Sequence, residues 1–388
     1  METETVPTVQ WTEGGHTRSA RWRSERGASP PTRVLIADDR MTAAEAYGLA
    51  CQGTALLWRG DFNNARQLLI AIARRADRKA QRARDPSPDA APPRSSAERF
   101  HLHRQAQSQR ARTLGMLLIE LDADYRIALR RAPDLRQACV EAYGPAESTS
   151  LVALRELLGV IGAHEWRAKG IEISAIDGRI HPHYGVFAPI RREYIDLVAN
   201  APLPGADATL AVAFDIGTGT GVLAAVLARR GIRRIVATDR DPRALDCARA
   251  NIARLGLTRR VEVVEADLFP EGRAPLVVCN PPWIPARPSA PIEHGIFDPE
   301  SRMLHGFLAA VPAHLEAHGE AWLVLSDLAE HLGLRSRADL LAVFDAAALD
   351  VVARHDVRPT HSRADDTNDP LYAARRAEVT SLWRLAVR

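Results

Sequence analysis

From Leu210 onward the chain alternates short apolar runs with amphipathic stretches, and this alternation narrows the fold more than any other feature. LAVAFDI reads as a strand, GVLAAVLARR as a helix, RRIVATD as a strand and DPRALDCARANIARLG as a helix. RVEVVEAD and APLVVCN follow as strands, ESRMLHGFLAAVPAHLEAHG as a helix and EAWLVLSD as a strand. Such interleaving predicts an α/β fold with a parallel sheet covered on both faces. The final runs, LDVVARHDVRP and VTSLWRLAV, are joined by the polar loop THSRADDTNDPL, too short for a packed crossover helix. They are expected to form an antiparallel pair.

Upstream the texture differs. Residues 1–33 are polar, and the Arg-, Ser- and Pro-rich RSARWRSERGASPPTR predicts disorder. TAAEAYGLACQGTALLW, FNNARQLLIAIARRADRKAQRAR, AERFHLHRQAQSQRARTLGMLLIELDADYRIAL and TSLVALRELLGVIGAHEW carry apolar residues at helical spacing. Residues 34–165 are therefore expected to form an all-helical domain, with Asp61 capping its second helix and a proline-rich break at 85–96. Residues 166–205 form a connecting segment in which Asp177-Gly178 marks a hairpin. The sheet domain is expected to span 206–388.

The four cysteines, Cys51, Cys139, Cys247 and Cys279, form no CxxC pair, which argues against a zinc site and a disulfide framework. His181 and His183 lack an acidic or thiol partner nearby, so no metal is expected. The start METETVPTVQ has no apolar segment of the signal-peptide kind, and no apolar run approaches the ~20 residues that span a bilayer. A cytoplasmic protein with no membrane partner is expected.

Within FDIGTGTGVLAAVLA, Asp215, Gly217, Thr218, Gly219 and Gly221 fall at a strand-to-helix turn. Glycines let backbone approach a ligand closely, and the helix start offers free N–H groups. The spacing is GxGxG, not the GxGxxG of a nicotinamide site, and Asp215 is a poor neighbour for a pyrophosphate but suits an ammonium group. The bland alternative is a tight turn with no ligand. Asp239 ends the next strand, where a carboxylate can accept from both ribose hydroxyls. Asp241-Pro242 reads as a helix cap. Asp267, in VEADLF, is expected at the same edge, placed to accept from an adenine amine. Each carboxylate alone reads as a solvated loop residue or a cap. Together, at the carboxyl ends of parallel strands, the three favour a nucleoside-like ligand carrying a cation.

The fourth strand stops at Asn280-Pro281-Pro282-Trp283. Proline cannot donate to a sheet ladder, and a large ring is costly to leave on a loop. The Asn280 amide oxygen and the Pro281 carbonyl can each accept from a planar NH2 group, with directions fixed by stiff backbone. Trp283 offers a face on which a flat amide or base can stack. Two acceptors pulling on its protons would make such a nitrogen pyramidal and aim its lone pair at an electrophilic methyl.

Over residues 180–388 the sequence resembles class I S-adenosylmethionine-dependent methyltransferases, and within them the release-factor glutamine methyltransferase family. The matching segments are Asp215–Gly221, Asp239, Asp267–Phe269 and Asn280–Trp283. Pro189, Arg191 and Glu193 resemble that family's Pro-Arg-x-Glu segment at shifted spacing. The resemblance implies a Rossmann-like seven-stranded methyltransferase sheet and S-adenosylmethionine as cofactor. Asp215, Gly217, Thr218, Gly219, Gly221, Asp239, Asp267, Leu268 and Asn280 would bind the cofactor. Asn280, Pro281, Pro282 and Trp283 would act on the methyl acceptor. Trp283 departs from the family's tyrosine, and the helical N-terminal region is longer than the family's.

A protein glutamine side chain is the implied acceptor, with an exocyclic amine of an rRNA or tRNA base as the alternative. From Arg74 to Arg112 eleven basic residues face four acidic ones, a block that could track a phosphate backbone or be a solvated helix face. Only Lys79 and Lys169 are lysines; every other basic residue is arginine. A non-catalytic cofactor-binding module is the reading of another class, but nothing in fold stability demands the Asn-Pro-Pro-Trp tetrad. A Rossmann dehydrogenase would have no use for it.

Overall fold

A computed structural model describes residues 6–82, 95–205, 210–360, 366–367 and 369–388. The chain divides into two compact units, residues 1–94 with 101–165, and residues 95–100 with 166–388. No helix among the described residues is long and apolar enough to cross a membrane.

The first unit is not all-helical. It holds a six-stranded sheet built from β1 (Thr8–Glu13), β2 (His16–Arg23), β3 (Arg33–Ala37), β4 (Thr54–Trp58), β5 (Leu117–Leu121) and β6 (Ser150–Ala153). Its strand order is β1-β2-β6-β5-β4-β3, with β3, β4 and β5 mutually parallel. The helices are α1 (Ala43–Cys51), α2 (Phe62–Arg82), α3 (Ser96–Leu114), α4 (Arg136–Tyr143) and α5 (Leu154–Lys169).

Two physical causes separate this from the sequence-based expectation. TALLW, LLIEL and SLVA are strands with almost every residue buried, so they show unbroken apolar runs without period-2 alternation. Such runs merge with neighbouring helical patterns. Residues 8–23, expected to be disordered, pair as a hairpin with Glu13 opposite His16. Its two turn residues, Gly14 and Gly15, both take positive φ, as a two-residue turn of this hand requires. Val9, Trp11, Ala20 and Trp22 alternate inward into one cluster with Leu57 and Leu118, so Arg18 and Ser19, which suggested disorder, lie on the solvent face, while Arg23 is buried and donates to Ser150. Asp61 does cap α2, accepting from the Asn63 N–H at 2.9 Å. Arg131 and Arg130 beside it hold its carboxyl down, at about 2. The proline-rich segment lies outside the described residues up to residue 94, and the polar loop 360–371 lies outside them in part.

The second unit follows the expected alternation. β7 (Ile171–Ile173) and β8 (Gly178–Ile180) form the hairpin, and α6 (Glu193–Asn200) leads to the sheet. The strands β9 (Val212–Ile216), β10 (Arg234–Asp239), β11 (Val261–Glu265) and β12 (Ala274–Cys279) are joined by α7 (Val222–Arg229) and α8 (Pro242–Arg254). Then come α9 (Arg302–His314), β13 (Leu315–Ser326), α10 (Leu328–His331), α11 (Arg337–Ala346), β14 (Leu349–Val357), α12 (Tyr372–Ala377) and β15 (Thr380–Val387). The strand order is β11-β10-β9-β12-β13-β15-β14. The first five are parallel, and β15 runs antiparallel to both β13 and β14. The helix expected over residues 300–319 ends at His314, because LEAHG enters β13 through an irregularity in its pairing with β12.

Residues Val222 to Ala228 of α7 are all buried, consistent with a helix apolar on every side between sheet and outer layer. The tetrad-bearing β12 lies between β9 and β13, buried from Leu276 to Cys279. The reversal of strand order between β9 and β12 opens a crevice at their carboxyl ends, where ligands of such sheets bind.

Candidate active site

The glycine loop runs from the end of β9 to Gly221, the αL residue that starts α7. Gly217, Gly219 and Gly221 have φ of 70°, 56° and 80°, a region that side chains rarely adopt. A Cβ on Gly221 would press on α8 at Ala248, so that glycine serves helix packing. A Cβ on Gly217 would collide with the Met303 methyl. Gly219 differs: nothing lies within 4 Å of where its Cβ would be. Its N–H donates to Asp239 Oδ2 at 3.0 Å, and Asp239 Oδ1 accepts from the Asp241 N–H at 3.0 Å. Burial raises the Asp239 carboxyl above its ordinary value. The loop thus presents open space bounded by bare backbone and a partly buried carboxylate with acceptor capacity to spare. That donor and acceptor set fits the ribose of S-adenosylmethionine. Asp241 caps α8 by accepting from the Arg243 N–H, with Pro242 in its first turn.

Asp215 takes a different part from the one its position suggested. It pairs with Ala237 and Val278, two residues short of Asp239 and Asn280, so it lies below the sheet edge. Its side chain is buried, with Oδ2 accepting from Thr218 Oγ1 at 2.6 Å and from the Ala224 N–H at 3.0 Å. The carboxylate therefore ties the glycine loop to α7, and burial pushes its carboxyl up to about 6. Asp267 stands two residues beyond Glu265, the partner of Asp239, and is exposed. The three carboxylates are stepped, not level, and the sequence reading of an ammonium partner at Asp215 is not supported by its inward orientation. Leu268 has φ of 76°, and its carbonyl accepts from the buried Thr238 hydroxyl at 2.5 Å. Nothing in the sequence marked Thr238, an ordinary β-branched strand residue.

At the end of β12, Asn280 and Pro282 are half-buried and Pro281 is buried. The prolines deny β12 further ladder donors and restrict the residue before each to extended backbone. Trp283 is half-buried among three apolar clusters, and its indole N–H donates to Asn280 Oδ1 at 2.9 Å. The Arg191 guanidinium lies 4.7 Å from the Trp283 ring centroid. Arg191 donates to Glu193 at 2.6 Å, to the fully buried Glu378 at 2.8 Å and to Thr380 at 3.2 Å. Glu378 also accepts from the buried Ser326 hydroxyl at 2.6 Å. The ring face towards Arg191 is therefore covered, so a stacked acceptor would have to use the opposite face. Arg191 and Glu193 were visible in the Pro-Arg-x-Glu likeness; Glu378 was not, because 187 residues separate it from Arg191.

After the tetrad, the buried Asp298 caps α9 by accepting from the Met303 and Leu304 N–H groups, which sets Met303 against Gly217. His181 has a structural place. Its backbone N–H donates to the buried Asn251 at 2.8 Å, and its Nδ1 lies 2.6 Å from the Arg167 carbonyl oxygen.

The family model described as methyltransferase small domain matches residues 178–351. The tRNA1(Val) (adenine(37)-N6)-methyltransferase of Shewanella amazonensis is 32% identical over 178 residues, 41% of this chain and 74% of that protein. The release factor glutamine methyltransferase of Mycolicibacterium smegmatis is 36% identical over 155 residues, 38% of this chain and 55% of that protein. The ribosomal protein L11 methyltransferase of Pelotomaculum thermopropionicum is 49% identical over 69 residues, 17% of this chain and only 22% of that relative's length. The chain belongs to the class I S-adenosylmethionine-dependent methyltransferases, through a methyltransferase small domain. Methyl transfer from S-adenosylmethionine is the chemistry of that class, and the chain spans 22%, 74% and 55% of the length of the L11, tRNA and release-factor relatives.

Proposed function

We propose that this enzyme methylates a planar nitrogen, with the side-chain amide of a protein glutamine as acceptor. One observation carries the reading. Asn280-Pro281-Pro282-Trp283 ends β12 next to β9, whose glycine loop opens at Gly219, and the Asn280 amide oxygen is fixed there by a 2.9 Å hydrogen bond. The same tetrad carries the likeness to the glutamine methyltransferases.

When bound, the cofactor supplies a methyl group made electrophilic by the positive sulfur. Gly217, Thr218, Gly219, Gly221 and Asp239 would hold it, with the Asp239 carboxylate on the ribose; Asp267 and Leu268 would border the adenine. Asp215 acts one layer down, by holding the loop. An amide nitrogen is a weak nucleophile because its lone pair is delocalised. The remaining lone pair of Asn280 Oδ1 and the Pro281 carbonyl accept its two N–H groups and favour the pyramidal form. Because these acceptors are already oriented, little reorganisation is required as charge develops. The nitrogen becomes acidic only as the new N–C bond forms and the methyl–sulfur bond breaks, its electron pair remaining on a neutral sulfur, so the nitrogen's proton can pass to water without a strong base. Pro282 stiffens the support.

A second reading, methylation of an exocyclic amine of an RNA base, is favoured by the basic helices. Arg74, Arg78, Lys79 and Arg112 are exposed on Phe62–Arg82 and Ser96–Leu114, as a phosphate-tracking surface requires. The relative named for tRNA adenine points the same way.

The deciding experiment incubates the protein with methyl-labelled S-adenosylmethionine and a lysate from a strain lacking it. Label in the protein fraction is the expected result. Label in RNA would establish the second reading, and label in neither would remove both.

A further inference from the structure

The aromatic of the tetrad is a tryptophan, and its indole N–H is a donor only, whereas a phenyl ring has no donor and a phenol can donate or accept. It donates to Asn280 Oδ1 at 2.9 Å. A carboxamide offers an acceptor at one tip and two donors at the other. If the Asn280 amide turned over, its NH2 would meet the indole N–H, and two donors would face each other.

We propose that Trp283 and Arg191 are positioning residues that select the rotamer of Asn280 in which the oxygen, not the NH2, meets the methyl acceptor. This rests on the planar-nitrogen reading above. Trp283 uses one acceptor site of Oδ1 and leaves the other for the acceptor nitrogen. Arg191 fixes Trp283 from its face. A cation over an indole is attracted to the ring's electron density and withdraws some of it, which makes the N–H a better donor.

Arg191 itself is pinned. Its Nε and both Nη atoms each donate to a partner, Glu193, Glu378 and Thr380. Those partners sit at the start of α6 and around the start of β15, and the buried Ser326 hydroxyl ends the chain of contacts. Rigid elements from both ends of the domain therefore determine the rotation of one amide. One N–H on each of the three Arg191 guanidinium nitrogens is engaged, and these bonds hold the guanidinium plane against the Trp283 ring, through which it acts on Asn280.

The test uses full-length protein with S-adenosylmethionine present and nitrogen-labelled tryptophan, whose indole N–H signals are recorded by NMR. Trp283→Phe keeps a ring in place and identifies the Trp283 signal by its loss. In Asn280→Ala that signal should move upfield as its acceptor disappears, and in Arg191→Lys it should move as the planar cation is lost. In the labelled-lysate assay, Trp283→Phe should lower turnover about tenfold or more, with cofactor affinity within about twofold of wild type. A Trp283 signal unmoved by Asn280→Ala, or a Trp283→Phe enzyme turning over at the wild-type rate, would overturn the proposal. If the wild-type protein transfers no label while the signal still moves, the planar-nitrogen reading fails and the indole-to-amide contact is upheld.

Discussion

The two halves of the active edge are supported in opposite ways. On the cofactor half, Asp215 and Asp239 bond to groups no more than 20 residues away. Thr218 and Ala224 bond Asp215, and Asp241 bonds Asp239. On the acceptor half, the side chain that matters is fixed through Trp283 and Arg191 to Glu378, nearly 100 residues beyond the tetrad. A local scaffold tolerates change elsewhere in the chain. The acceptor half instead makes chemistry depend on how the C-terminal strand pair docks.

The difference predicts where substitutions act. The largest effect belongs to Asn280→Ala, which removes an oriented acceptor while leaving the glycine loop intact. Turnover should fall about 100-fold or more, with cofactor affinity nearly unchanged, as measured by labelled-methyl transfer beside calorimetric titration. Equal losses in both quantities would mean that the halves are not separate.

Next is Arg191→Met, which strands the buried Glu378 and Glu193 without their cation. Unpairing a buried charge costs about 3 kcal/mol, readable as a lower urea midpoint. An unchanged midpoint would show that the acceptor half does not lean on this network.

Asp239→Ala should raise the dissociation constant for S-adenosylmethionine about tenfold, because a charged acceptor is lost and the Gly219 N–H loses its partner. Its turnover at saturating cofactor should stay within a few-fold of wild type. Unaltered affinity would show the ribose assignment to be mistaken.

The smallest effect is on pH dependence. Burial pushes the Asp215 carboxyl up to about 6 from an ordinary 3.8, so the folded protein binds a proton that the unfolded chain has already released. The group's contribution to stability is complete below 3.8 and is lost as pH rises through 6. Between pH 5 and pH 7 the cofactor-free protein should lose about 1 kcal/mol through this group. Asp215→Asn should lack that part of the slope, and identical slopes would mean that the carboxyl is not buried as described.

The same contrast explains what the sequence made legible. The glycine loop, Asp239 and the tetrad each occupy a few consecutive residues whose types have local mechanical reasons, so all could be placed on strand ends. Asp215 was located correctly but its direction was not, because alternation along a strand does not tell which face lies under a loop. Glu378 carries no local signal at all. In the N-terminal unit the strands Thr54–Trp58, Leu117–Leu121 and Ser150–Ala153 escaped recognition because burial on both faces erases the period that would reveal them. Gly14-Gly15 did encode its hairpin, beneath a composition that suggested disorder.

The measurement that bears most directly on the tetrad's chemistry is the identity of the atom that receives the methyl group. Labelled acceptor from the lysate reaction, hydrolysed in acid, should release the label as methylamine if a glutamine amide was methylated. A methylated base amine would keep the label on nitrogen and place the same chemistry on RNA. Label recovered on oxygen, sulfur or carbon would contradict an Asn280 amide and a Pro281 carbonyl arranged around a planar nitrogen.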